Sequence, residues 1–372
     1  MRNSRLRAAT LAGLLGGLLS GPVVSQDLGP VGPSPYNVVE GWHKPFAKQG
    51  FAFGGNSGLF AESPDRIFIL QRGETRLPIP IPPEFDGYVG SLGINALMAS
   101  DLRTWQNCLY TIDGDGNVTD IWEQWDYLCA GSEGPGPHRI RISPYDPERR
   151  VWVVNETFHQ IYVLSNDGSE LLMTLGEKLT PGDDETHFGR PQDVAFLPDG
   201  RILVADGLDN HRVVILDKDA NYLSEFGGRG DGPGQFNGIH AIGVGPDGLI
   251  FALDRSGRRV NVFRTTDDPR EVEFVDTWDG FGGIPLDIIV NDDSVWMTNL
   301  GPPLRFIKLD FEGNRQYTWH VPRAIHLEVH TITVDSDGNL YGGDNQYGRT
   351  QKFVPKPGAD PALIIGPPWV AR

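Results

Sequence analysis

Residues 191–207 read PQDVAFLPDGRILVADG and residues 239–255 read IHAIGVGPDGLIFALDR. Each is a short apolar strand, a Pro-Asp-Gly reversal and a second apolar strand ending on Asp. Proline presets one turn dihedral and glycine supplies the left-handed one, so the two strands must fold back on each other. The same unit returns as VHTITVDSDGNLYGGDN at 329–345 and, with a longer turn, as PHRIRISPYDPERRVWVVNE at 137–156. Weaker copies are PLDIIVNDDSVWMTNL at 285–300 and SGLFAESPDRIFILQRG at 57–73. A third and a fourth strand follow most copies, as in RVVILDKDANYLSEF from Arg212 and RVNVFRTTDDPREVEFVDTW from Arg259. No stretch keeps a helical period. Four antiparallel strands repeated six times predict an all-β chain, a six-bladed β-propeller with blades near 56–128, 137–176, 190–227, 238–279, 284–320 and 326–366. Residues 56–372 then form one domain, and the segment 26–55 before it can supply a strand that closes the ring and hides its edges.

The start of the chain stands apart. Arg2, Arg5 and Arg7 precede an apolar run, Ala8 to Leu19, and small residues follow around Ser25. That pattern predicts a secretory signal peptide over 1–25, and hence a secreted or periplasmic protein. No later segment offers the roughly 20 apolar residues of a membrane helix. Without residues 1–25 the chain keeps 29 basic against 49 acidic side chains, a net charge of −20. Such a surface repels nucleic acid and anionic lipid, which leaves small ligands, peptides or cationic partners, and a monomer is expected. Gly (47) and Pro (29) fall at regular turns, as strand punctuation. Cys108 and Cys129 can pair after export or stand as two thiols.

Superposing the six copies on the turn puts Gly58, His138, Gln192, His240, Leu286 and His330 at one place on the innermost strand. Histidine thus alternates around the ring, and approximate threefold symmetry aims three imidazoles at one point. One such histidine alone reads as a water-bonded channel residue. Three in strict alternation predict a metal site with an open position, the pattern of a catalytic zinc, although nitrogen ligands also suit nickel, copper or iron. His43, His159, His187, His211, His320 and His326 lie off this register, with His187 nearest an inner-strand start.

A second register holds Asp206, Asp254, Asp344, Asn155 and Asn299, short side chains that cap turns. Just beyond it, Arg72 and Arg255 stand where a guanidinium at a channel mouth can clamp a carboxylate, or equally pair on the surface. Arg212, Arg259 and Arg349 start third strands and read as structural. GGRGDGPG at 227–234 has no helix after it to bind phosphate and reads as an inter-blade turn.

With these residues in view, HFGRPQDVAFLPDGRILVADGLDNHRVVIL at 187–216 and GPGQFNGIHAIGVGPDGLIFALDRSGRRVNVF at 232–263 resemble the NHL-repeat propellers. More narrowly, about Gly54 to Phe353 is similar to the peptidyl-α-hydroxyglycine α-amidating lyases. The resemblance implies zinc on His138, His240 and His330, from the segments GPHRI, GIHAI and EVHTI, and two functional arginines at Arg72 in LQRGE and Arg255 in LDRSGR. The chain also departs from that family. Leu208 stands where the family has its catalytic tyrosine, and Thr331 where it has a calcium-binding aspartate. Zinc is therefore implied more strongly than amidating-lyase activity, and calcium is doubtful.

The expectation is a zinc-dependent lyase or hydrolase acting on a small carboxylate-bearing substrate. Zinc would polarise a substrate oxygen or bring its water to a pKa of about 7, and the arginines would hold the carboxylate. The alternative is a non-catalytic propeller that binds a peptide, glycan or envelope partner. A calcium-dependent lactonase-type site would need converging oxygen ligands, and of the aligned positions only Gln192 offers one.

Overall fold

The computed structural model describes residues 29–44, 50–77, 100–131, 134–301, 303–321, 328–346 and 348–372. The segment read as a signal peptide lies outside them. Strands dominate among the described residues, and helix there is limited to short 3-10 turns such as Glu123–Leu128. Among the described residues no helix is long and apolar enough to cross a membrane.

Three sheets have four consecutive antiparallel strands each. They begin at Pro137–Ile142, Asp193–Phe196 and Ile239–Val244. A fourth begins at Asn56–Ser63 and runs through Arg66–Gln71, Leu109–Ile112 and Val118–Ile121. The reversals work as their residues dictate. Gly200 takes φ 93° and Gly248 φ 72°, and the Asp199 carboxylate accepts from the Arg201 amide at 3.0 Å.

The N-terminal part of the chain completes two further sheets, while Phe51–Phe53, Glu74–Arg76 and Arg103–Thr104 form a separate three-stranded sheet. Tyr36–Val39 pairs antiparallel with Arg349–Pro355 and becomes the fourth strand beside Leu340–Asp344 and Thr331–Val334. Val31–Gly32 adds in parallel to Arg315–His320 as a fifth strand on the sheet that starts at Ile284–Val290. The Tyr36 ring lies 5.8 Å from that of Trp319, and its hydroxyl accepts from the Ile365 amide at 2.7 Å. Tyr36→Phe strands this buried amide and is expected to lower the unfolding free energy by about 1–2 kcal/mol, read as a lower denaturant midpoint at constant slope.

Burial grades outward within each sheet. Val151–Asn155 and Gln160–Leu164 are buried along their whole length, whereas the outermost strand Leu171–Leu175 alternates between half-buried and exposed. The core accordingly lies between sheets. Apolar clusters join each of the six larger sheets to the next, and Tyr341 packs with Leu59 and Ile69 to join the last to the first. The innermost strands also pack in succession, from Asn56–Ser63 through Thr331–Val334 and back. This propeller-like arrangement makes one end of every inner strand face a common axis.

At the strand ends away from the histidines, Pro368 and Trp369 of the C-terminal tail line a cavity beside Val194, Ile242 and Ile288. Trp369 donates its amide to the Val290 carbonyl at 2.7 Å, and the Ala371 amide reaches the Tyr145 hydroxyl at 3.1 Å. Cys108 and Cys129 are both buried and stand side by side as thiols, their side chains hydrogen-bonded to each other.

Candidate metal centre

The histidines converge by leaving the regular ladder. Register shifts fall between Pro137 and Arg139 and between Ile239 and Ala241, so His138 and His240 each sit in a β-bulge. A bulge turns its extra residue away from the pairing partner, here toward the axis. His330 lies just before Thr331–Val334, where its amide donates to the Gly343 carbonyl at 2.9 Å.

The three rings form a nearly regular triangle, with centroids 4.7, 4.9 and 4.9 Å apart and mutual angles of 82–90°. All three side chains are buried, and one ring nitrogen from each lies within 4.8 Å of the others. Each Nδ1 meets a backbone carbonyl of the neighbouring sheet. His138 reaches Gln192 O at 2.7 Å, His240 reaches Leu286 O at 2.5 Å, and His330 reaches Ser57 O at 3.1 Å. A carbonyl can only accept, so each Nδ1 carries the proton and each Nε2 presents a lone pair. The Nε2 atoms of His138 and His240 stand 3.2 Å apart. Two lone pairs facing at that distance repel unless a cation lies among them, and carbonyl-anchored imidazoles are the usual ligands of zinc.

The surroundings keep these rings neutral. Burial holds all three well below the ordinary histidine range; His138 is lowered further by His240 and His330, and Arg139 contributes at each ring. Neutral imidazole is the metal-binding form.

Arg72 is buried and donates to Glu156 at 3.1 Å, and its Nε has no partner. Glu156 is a hub, since it also accepts from Arg190 at 3.0 Å and from the Gln192 amide at 3.1 Å. Arg255 makes no side-chain hydrogen bond or ion pair among the described residues, and it lies close enough to depress His240 and His330. Burial lowers both guanidinium groups, with Glu156 and Glu328 opposing the shift, and both stay charged.

The remaining expected residues have other work. Asp254 caps its own turn at the Gly257 amide, at 3.1 Å, and also holds the Gly238 amide at 2.8 Å and Arg259 Nε at 2.9 Å. Asp206 does the same for the Gly189 amide at 2.7 Å and Arg212 Nε at 3.0 Å. These pairs tie an inter-sheet loop to its own sheet. His187 is held by Asp184 at 2.9 Å in an exposed loop.

One group escapes the sequence reading. Beside the triad, Arg139 donates to the His240 carbonyl at 3.2 Å and to Asp287 at 3.1 Å, and Arg141 meets Asp193 at 2.9 Å and Asp287 at 3.5 Å. Arg139, Asp193 and Asp287 are fully buried. The signal was available: each follows directly on the histidine register, at His138, Gln192 and Leu286.

Comparison with known proteins agrees with this architecture. Residues 188–216 match the NHL repeat. The chain is 27% identical to the Mus musculus peptidyl-glycine alpha-amidating monooxygenase over 59% of its own length and 23% of that protein. It is 32% identical to a probable peptidyl-alpha-hydroxyglycine alpha-amidating lyase of Caenorhabditis elegans over 34% of this chain and 36% of that one. The matched part is thus well under half of these relatives. A solved gluconolactonase-like protein shares the fold, with a TM-score of 0.51 at 10% identity, covering 84% of this chain and 93% of that one.

Proposed function

We propose that this chain, an NHL propeller resembling the α-amidating lyases, is an exported six-bladed propeller enzyme that cleaves a small carboxylate-bearing substrate at a zinc held by His138, His240 and His330. The observation that carries the proposal is the convergence of three carbonyl-anchored imidazoles, with Nε2 atoms as close as 3.2 Å. When bound, zinc supplies Lewis acidity toward a substrate oxygen and acidifies water at its open position.

The chain's own groups do the rest. Arg255 and the free Nε of Arg72 offer donors for a carboxylate, and Glu156 fixes Arg72 from behind so that little side-chain freedom is lost on binding. On a peptidyl-α-hydroxyglycine, as named for the Caenorhabditis elegans relative, the C–N bond breaks. The hydroxyl proton leaves, the nitrogen gains a proton, and an amide and an aldehyde acid depart.

Zinc-loaded protein is expected to release glyoxylate from such a substrate. Arg255→Ala should lower kcat/KM by about 10- to 100-fold, the worth of a charge-assisted contact, with zinc content unchanged. Leu208 favours one rival reading, a binding propeller without chemistry, because it removes the side chain that the lyase family uses as base. Zinc-loaded protein that turns over no α-hydroxyglycine would support that rival.

A further inference from the structure

Glu328 has no part in the proposal so far. It lies two residues before His330 and is 6% exposed, and its Oε2 has no hydrogen-bond partner. Asp344, Arg72 and Arg255 lie near its carboxyl, which the Gln346 side chain also hydrogen-bonds. Leaving a carboxylate oxygen buried and unpaired costs about 1–3 kcal/mol or more, so a fold that keeps one has a use for it.

Gln192 repeats the pattern on another sheet. It occupies the histidine register, its amide nitrogen is taken up by Glu156 and by the Arg190 and Pro191 carbonyls, and its Oε1 is left bare. Two kinds of unmet demand therefore remain inside the fold near the triad. Arg72 Nε and Arg255 are donors in want of an anion, and Glu328 Oε2 and Gln192 Oε1 are acceptors in want of a hydrogen.

We propose that Glu328 is a specificity-determining residue which, with Gln192, accepts a hydrogen bond from an O–H or N–H that the substrate carries beside the carboxylate held by Arg72 and Arg255. The inference rests on the carboxylate reading above and adds a second requirement. Simple carboxylates fill the arginines and leave the acceptors bare, whereas 2-hydroxy or N-acyl amino acids satisfy both.

Acetate and glycolate differ by one hydroxyl and serve as probes. Titration calorimetry on zinc-loaded wild-type protein should find glycolate bound about 10- to 100-fold more tightly than acetate, the range for a hydrogen bond to a charged group. Glu328→Leu should abolish that preference, with acetate affinity and zinc content unchanged. Glu328→Gln keeps the shape and a neutral acceptor, and should retain a preference of about 3- to 10-fold, since charge-assisted bonds are roughly twice as strong as neutral ones. A full glycolate preference in both variants overturns the assignment and leaves the arginine clamp standing. Equal binding of the two acids by wild-type protein does the same. If neither acid binds, the carboxylate reading falls and takes this inference with it.

Discussion

Purified protein is expected to carry close to one zinc per chain by elemental analysis, and His240→Ala to lose it. Second-layer changes around zinc typically cost about 10- to 100-fold in affinity, so deleting a ligand should cost more. His240 is the stringent choice because its Nε2 faces that of His138 at 3.2 Å and its Nδ1 is anchored on Leu286. Wild-type protein that stays metal-free after zinc loading would remove the basis of the enzymatic proposal.

The same experiment has a pH dimension. The folded histidines sit well below the unfolded value, near 6.5, so the unfolded chain binds more protons between those limits. Stability of the metal-stripped protein should therefore be fully present above about pH 6.5 and fall as the pH drops toward the folded values. Zinc at about 100 times its Kd should add about 2.7 kcal/mol near pH 8, a gain that acid erodes because protons compete for the same nitrogens. Thermal melts with and without zinc across pH 5.5–8 would show both trends, and a zinc-induced shift that survives at low pH would contradict the ligand set.

How much of this was legible in the sequence depends on the kind of signal. Pro-Asp-Gly turns are local chemistry, so the strands flanking Asp199 and Asp247 can be placed from their neighbours alone. The histidine alternation was legible too, because a repeat makes equivalent positions comparable. Its mechanism was not, since His138 and His240 point inward through bulges that no alternation pattern encodes. Val31–Gly32 was invisible for another reason: two residues added in parallel to an edge carry no periodicity.

Charge misled most. A lysine or arginine on a strand usually reads as an outward face, yet Arg139 is wholly buried because Asp193 and Asp287 arrive from other sheets. Pairings across 54 or 148 positions, as between His138 and Gln192 or Arg139 and Asp287, exist only once the strands surround one axis.

That buried cluster yields the largest stability effect expected of any single change. Arg139→Leu leaves Arg141 alone against two carboxylates, and removing one partner of a buried ion pair costs about 3–5 kcal/mol. The loss would be a large share of a domain stability of about 5–15 kcal/mol. The triad should feel it, because Arg139 also supports the His240 carbonyl at 3.2 Å, so zinc affinity is expected to fall with stability. Burial already pushes the Asp193 carboxyl up, against the pull of Arg141 and Arg139. Without Arg139 it rises further, so the folded variant keeps a proton that the unfolded chain, with Asp near 3.9, has released. A folded value above the unfolded one adds stability at low pH and loses it as pH rises, so the deficit should be widest near pH 7 and narrow toward pH 4. The double variant Arg139→Leu, Asp287→Asn restores neutrality and keeps an acceptor for the Ile332 amide, which Asp287 holds at 2.8 Å. It should recover part of the loss, with a coupling of about 0.5–3 kcal/mol in a double-mutant cycle. Strict additivity would mean that Arg139 acts through packing and not through its charge.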